Sequence, residues 1–346
     1  VASTGSCQSR TYNGASQTLA SGGTGVSYSN NTKTAAGSQT VTVTASSGYR
    51  FSDNTTSKTL NCSINKKSVA VTWGSTTTFT YNGKAQAPTA SASSGVSGET
   101  LNITRTTGTN AGSYTSTASL SSVTGGQALA SNYTLTGTTK AFKINKATPT
   151  LTLSAPRGTV NAGRKITFTE KASVAGKFSN VSGTTSVATV SPASYTGVAA
   201  NTAKTVTITG VSNGSSKITV TFTPTDTTNY NTKTATYTVT GYKVASTGSC
   251  QSRTYNGASQ TLASGGTGVS YSNNTKTAAG SQTVTVTASS GYRFSDNTTS
   301  KTLNCSINKK SVAVTWGSTT TFTYNGKAQA PTASASSGVS GETLNI

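Results

Sequence analysis

Apolar residues alternate with polar ones along most of this chain, at Val41 and Val43, at Val69, Val71 and Trp73, at Ile166 and Phe168, and at Val206 and Ile208. The pattern continues at Ile218, Val220 and Phe222 and at Tyr237 and Val239. A period of two places every second side chain on one face, so each run predicts a half-buried β-strand. Turn-rich stretches such as Ser21-Gly22-Gly23, Ser93-Ser94-Gly95 and Ser212-Asn213-Gly214 separate the runs, at the spacing of a β-sandwich. No segment carries helical periodicity. The expectation is an all-β fold of serial Ig-like sandwich modules arranged as an elongated rod.

Residues 1–103 recur without change as residues 244–346, an offset of 243 residues. Within that repeat a weaker one is visible. Tyr12-Asn13-Gly14 and Tyr81-Asn82-Gly83 open two modules, Ala36-Gly37-Ser38 and Ala111-Gly112-Ser113 lie midway, and Ile64-Asn65-Lys66 and Ile144-Asn145-Lys146 close them. Three landmarks in one order predict modules at 1–67 and 68–146, a third at 147–243 without the landmarks, and copies of the first two at 244–310 and, in part, 311–346. The connections are short: Ser68-Val69 follows Lys67 at once, and Pro149 stiffens the passage from Ala147-Thr148. Periodic chains present one surface at intervals, which favours spanning and sticking over catalysis.

The landmarks, together with the Ala-Gly-Ser-Tyr-Thr run at 111–115 and Asn132-Tyr133-Thr134, resemble YGX-type MBG modules found in tandem on bacterial surface proteins. The third module is similar to bacterial Ig-like group 2 domains, on Ser186-Val187-Ala188-Thr189-Val190-Ser191, Ile208-Thr209-Gly210 and Ile218-Thr219-Val220. The resemblance implies an extracellular, cell-surface stalk or adhesin.

Composition agrees with strands: Thr, Ser, Gly, Asn and Ala dominate, and only 10% of residues are charged. The charges are 27 basic against 6 acidic, a formal +21. Because the basic residues are dispersed, the field would attract anionic cell-surface polymers or glycans rather than one nucleic-acid sequence. Tyr49-Arg50-Phe51 is the one tight basic-aromatic cluster, and aromatics at strand spacing read as core. No apolar stretch reaches the length of a membrane span, so anchors and export signals are expected elsewhere in a longer protein.

Four cysteines carry the sharpest local signal. Cys7 precedes the first strand and Cys62 lies in the last strand of a module too small for a large core, and Cys250 and Cys305 repeat the arrangement. Two intradomain disulfides are expected, each stabilising by about 4 kcal/mol in the chain-entropy model; reduced, inert thiols are the alternative. With no His and no Cys-x-x-Cys there is no zinc or redox motif, and no cofactor is expected.

Catalysis is argued down by inventory. Absence of His removes Ser-His-Asp and Cys-His sets. The acids are Asp53, Glu99, Glu170, Asp226, Asp296 and Glu342, too sparse for a calcium cluster. Glu170 and Asp226 are the only pair outside the repeated copies that could form a glycosidase dyad, and isolated surface carboxylates are the expectation. Ser63-Ile64-Asn65-Lys66 matches Ser-x-x-Lys but ends a strand, where Ser and Lys do not share a helical face. Gly22-Gly23-Thr24-Gly25 lacks the tail of a phosphate loop. A Lys-Asn isopeptide would use Lys171 with Glu170 as its acid, although solvated surface charge is the simpler reading. Asn30-Asn31-Thr32 and Asn132-Tyr133-Thr134 are read as exposed turns. The chain is therefore expected to be no enzyme, with an adhesin stalk favoured over a laterally associating filament or sheath and over a glycan-binding module using exposed tyrosines.

Overall fold

A computed structural model describes residues 1–154 and 158–346. Among these residues the regular structure is β-strand, with one short 3₁₀ helix at Ala130–Asn132 and no α-helix. Two compact units form: Val1–Thr148 with Asp226–Asn231, and Pro149–Thr225 with Thr232–Ile346.

In the first unit, region 1–67 is a four-stranded sheet in the order Arg10–Thr11, Ser57–Asn65, Gly37–Ala45, Val26–Ser29. The alternation seen in the sequence becomes the inward face: Val41 and Val43 on one central strand, Cys62 and Ile64 on the other, against Leu19, Ala20 and Phe51. Region 68–146 repeats the plan as Thr78–Thr80, Thr139–Asn145, Gly112–Thr124, Thr100–Arg105. In both, the opening strand runs parallel to the closing strand. The Tyr12 and Tyr81 amides donate to Asn65 O and Asn145 O, each at 2.9 Å, which is why the Tyr-Asn-Gly and Ile-Asn-Lys landmarks travel together. Asn13 and Asn82 accept from the backbone amides two residues on, and Gly14 and Gly83 follow at φ +81° and +76°, left-handed backbone that glycine supplies without strain.

In the second unit, 149–225 and 232–243 form a two-sheet sandwich. One sheet runs Leu151–Leu153, Lys165–Ala172, Lys204–Gly210, Ala188–Ser191, and the other Thr159–Asn161, Lys233–Val244, Gly214–Pro224, Gly176–Ser182, Ser194–Val198. Phe168, Phe178, Val206, Ile208, Ile218, Val220, Phe222 and Val239 fill the space between them. Each such fully buried side chain stabilises by about 1.5–3 kcal/mol. The sheet of region 1–67 recurs as Arg253–Thr254, Ser300–Asn308, Gly280–Ala288, Val269–Ser272, and a short ribbon pairs Val314–Trp316 with Ala333–Ala335.

Candidate functional site

Cys7 is bonded to Cys62 and Cys250 to Cys305, each pair with Cα atoms 5.3 Å apart. The bond ties the Ser6–Cys7 strand to the closing strand Ser57–Asn65. No other cysteine exists.

The most elaborated polar site of the first unit lies where 1–67 meets 68–146. Strand Tyr133–Thr136 pairs in parallel with Lys67–Ala70, so Tyr133 enters between the two regions. Its ring meets that of Tyr12 edge to face at 5.4 Å. Both phenols donate to the buried carboxylate of Glu99, Tyr12 to Oε1 and Tyr133 to Oε2 at 2.6 Å, and the Gln127 amide adds a third donor at 3.1 Å. Burial alone would raise the Glu99 carboxyl, but these donors, with Lys67 nearby, leave it below its ordinary value. Burial, and then the bond to Glu99, pushes Tyr12 up to about 12 and also raises Tyr133, so both phenols stay protonated as donors. Gly126, at φ +54°, admits the carboxylate: a Cβ there would stand 2.5 Å from Glu99 Oε1. Beside the cluster, Asn132 Oδ1 accepts from the Ala36 amide at 2.9 Å.

The same joint is built a second time within this unit. Asn229 Oδ1 accepts from the Ala111 amide at 2.7 Å, and Tyr230 meets Tyr81 edge to face at 5.3 Å. Tyr230 also forms a parallel bridge with Ala147, as Tyr133 pairs with Lys67. Lys146 Nζ donates to Thr227 O at 2.6 Å. Thus Asn132-Tyr133 and Asn229-Tyr230 dock on equivalent landmarks, an Ala-Gly-Ser amide and a Tyr-Asn-Gly ring. No carboxylate unites the second pair of phenols; the Asp226 carboxylate instead accepts from the Asn229 side chain at 2.8 Å, the bond that chiefly lowers its titration.

In the second unit a different joint connects the sandwich to the copy that follows it. Lys243 and Val244 pair in parallel with Tyr292 and Arg293, Asn161 Nδ2 donates to Phe294 O at 2.9 Å, and the Arg293 guanidinium lies 4.4 Å from the Tyr242 ring. The identical Tyr49 is 43% exposed in the first copy, whereas Tyr292 is half-buried. Of the expected basic-aromatic cluster, only Phe51 is core; Tyr49 and Arg50 lie on the surface.

Three expectations need correction. Glu170 is not a surface carboxylate: it follows Phe168 on the inward face of Lys165–Ala172 and is fully buried, its Oε1 accepting from Asn180 Nδ2 at 3.2 Å. Burial pushes its titration up to about 7. Lys171, one residue on, points to the opposite, exposed face, so it does not share the buried place of Glu170 and Asn180 that an isopeptide requires. Asn132, read as an exposed turn, is completely buried in the joint. Among the described residues no group of three or more His, Cys, Asp or Glu is placed to hold a metal, and no helix is long and apolar enough to cross a membrane.

The sequence landmarks named half of each joint. The other half, Asn229-Tyr230, was missed because its surroundings carry no Tyr-Asn-Gly or Ile-Asn-Lys; recurrence of the Asn-Tyr dipeptide at 132–133 was the available signal.

No family model and no curated protein matches the chain. Among solved structures it is similar to domains 1–6 of the surface layer protein SbsC, at 15% identity over 80% of this chain and 37% of that one, TM-score 0.27. It is also similar to the D00-D0 domain of intimin, at 11% identity over 67% and 97%, TM-score 0.20. A third is the Bacteroides ovatus mixed-linkage glucan utilization locus protein SGBP-B, solved with a mixed-linkage heptasaccharide, at 14% identity over 71% and 68%, TM-score 0.15. At these scores they are likenesses only.

Proposed function

We propose that the chain is a repeat region of a bacterial extracellular surface protein, a stalk in which folded modules with the boundaries inferred above stand in series and set the distance between what lies at its ends. The observation that carries this reading is the joint itself. The same Asn-Tyr docking is built at Ala36 and again at Ala111, one recurring set of contacts on the equivalent landmarks of regions 1–67 and 68–146, which supports modules joined through specific contacts rather than loose linkers. The disulfides fit an oxidising, extracellular setting. Chemistry on a substrate is not part of the proposal. The formal charge of +21 adds multivalent attraction to anionic polymers or glycans along the array.

Small-angle scattering on proteins with one, two and three copies of the 243-residue repeat tests the reading. The maximum dimension should grow by an equal increment per copy while the mass stays monomeric. A compact particle, or freely tumbling modules, overturns it. Concentration-dependent polymers would replace the stalk by a filament.

A further inference from the structure

Where the sandwich meets the copy that follows it, the second unit carries a cavity of about 300 Å³ lined by Thr159, Asn161, Arg164, Lys165, Ser295 and Asn297, among others. Asn161 ends the strand Thr159–Asn161 and is only 2% exposed, because Gly210 lets its backbone come close: a Cβ on Gly210 would stand 2.3 Å from Asn161 O. The orientation of its amide is fixed. Nδ2 donates to Phe294 O at 2.9 Å, which leaves Oδ1 buried without a hydrogen-bond partner. On the side contributed by the following copy, Arg293 Nη1 donates to Asn297 O at 3.1 Å while its guanidinium lies against the Tyr242 ring, so the 293–297 turn is held in place. Asn297 sits in that turn at φ +69°, and its Oδ1 is likewise buried and unpartnered. At the rim, a turn closed by the Arg164 amide donating to Asn161 O at 2.9 Å presents the exposed side chains of Arg164 and Lys165. Asp296, the one carboxylate of the facing turn, is already paired with Lys301 at 2.6 Å.

We infer that this cavity is a binding site for an acidic sugar residue, a uronic acid, of a polysaccharide. Two buried carbonyl oxygens without donors call for a ligand rich in hydroxyl groups, since a buried acceptor that finds no donor forfeits the hydrogen bond it had with water. Sugar rings supply such donors side by side. Hydroxyls on neighbouring ring carbons donate to Asn161 Oδ1 and Asn297 Oδ1, and the hydroxyls of Thr159 and Ser295 take either role toward the remaining ring oxygens. The carboxylate of the same ring faces Arg164 and Lys165 at the rim, where hydrogen bonds to charged groups are the strong ones. A cavity of about 300 Å³ lies at the small end of ligand sites, which suits one ring of a chain that continues into solvent. The inference rests on the attraction to anionic glycans proposed above and gives it a place, yet the two fail separately: scattering reports how modules stack, and a located titration reports whether this joint binds a sugar.

The test is an NMR titration of the 346-residue chain with tetragalacturonic acid, with uncharged maltotetraose and with a tetraglutamate peptide. Saturable shifts of the Asn161 side-chain amide and of backbone amides in 161–166 and 293–298 are expected with the uronate, and affinity for maltotetraose about tenfold weaker, the loss of one charge-assisted contact. Asn297→Gly keeps the left-handed backbone and removes one acceptor, so it should weaken uronate binding about fivefold, as should Arg164→Gln. Lys217→Gln, which removes the same charge from an exposed position on the sandwich, should leave it unchanged. No saturation up to millimolar uronate would mean that water alone satisfies the two asparagines and would overturn the proposal. So would shifts confined to other parts of the chain, undiminished binding by Asn297→Gly, equal weakening by Lys217→Gln, or tetraglutamate binding at the same place as tightly as the uronate.

Discussion

Replacing Glu170 by Gln should stabilise the 149–243 sandwich at neutral pH and do nothing at acid pH. Glu170 is fully buried, its Oε2 has no hydrogen-bond partner, and neither does the nearby Oδ1 of Asn180. A carboxylate there is fully buried with a single donor, so the fold favours the neutral acid, which titrates near 7 rather than at the ordinary 4.5. The sign follows from linkage. Since the folded state holds its proton more tightly than the unfolded chain, stability is full below about 4.5, falls as pH rises between the two values, and stays low above about 7. At 1.36 kcal/mol per pH unit the difference amounts to at most about 3 kcal/mol. Gln keeps the size, cannot ionise, and brings an amide that can donate to Asn180 Oδ1. Hydrogen exchange of Lys165–Ala172 and Gly176–Ser182 at pH 4.0 and 8.0 measures the local opening energy in each protein. The wild type should lose protection on going to pH 8.0 and Glu170→Gln should not. A wild type that gains protection with rising pH, or a variant that follows it at both values, refutes the reasoning.

The joints, the disulfide and the duplicated surface give further outcomes. Asn132→Ala strands the Ala36 amide and should cost about 1–3 kcal/mol, read as faster exchange in Tyr133–Thr136; Asn229→Ala should act likewise on Ala111. Cys7→Ser with Cys62→Ser should remove about 4 kcal/mol from region 1–67, seen as a lower denaturant midpoint and earlier proteolysis there. Arg293→Ala gives up the contact with Tyr242 and should lower stability by about 1 kcal/mol, whereas Arg50→Ala, the same residue on an open surface, should be neutral in the same melt.

Strand positions were legible because a period of two survives in a chain this rich in Thr and Ser: Val41, Val43, Ile218, Val220 and Phe222 are all fully buried. The same register, carried two residues beyond Phe168, places Glu170 on the inward face. Its charge argued against burial, and only the packing of a second sheet over it overrides that preference. The joints were half legible for a different reason. Local landmarks mark turns and ladder partners within one sheet, but Ala36 meets Asn132, and Ala111 meets Asn229, across about a hundred residues of chain, where no local periodicity links them. The Tyr12–Glu99–Tyr133 cluster likewise draws on three separate elements, and only its tyrosines belonged to recognised landmarks.

Under tension the cystine of region 1–67 changes what the chain can give. Cys7 and Cys62 are separated by 55 positions, and the covalent link lets load pass directly from one to the other, bypassing everything between. Pulled from its ends, an oxidised region could pay out only its few outer residues. Reduction would release about 190 Å of extra contour per repeat. The thiol poise of the surroundings would then decide whether the molecule behaves as a tether of fixed length or as one that yields.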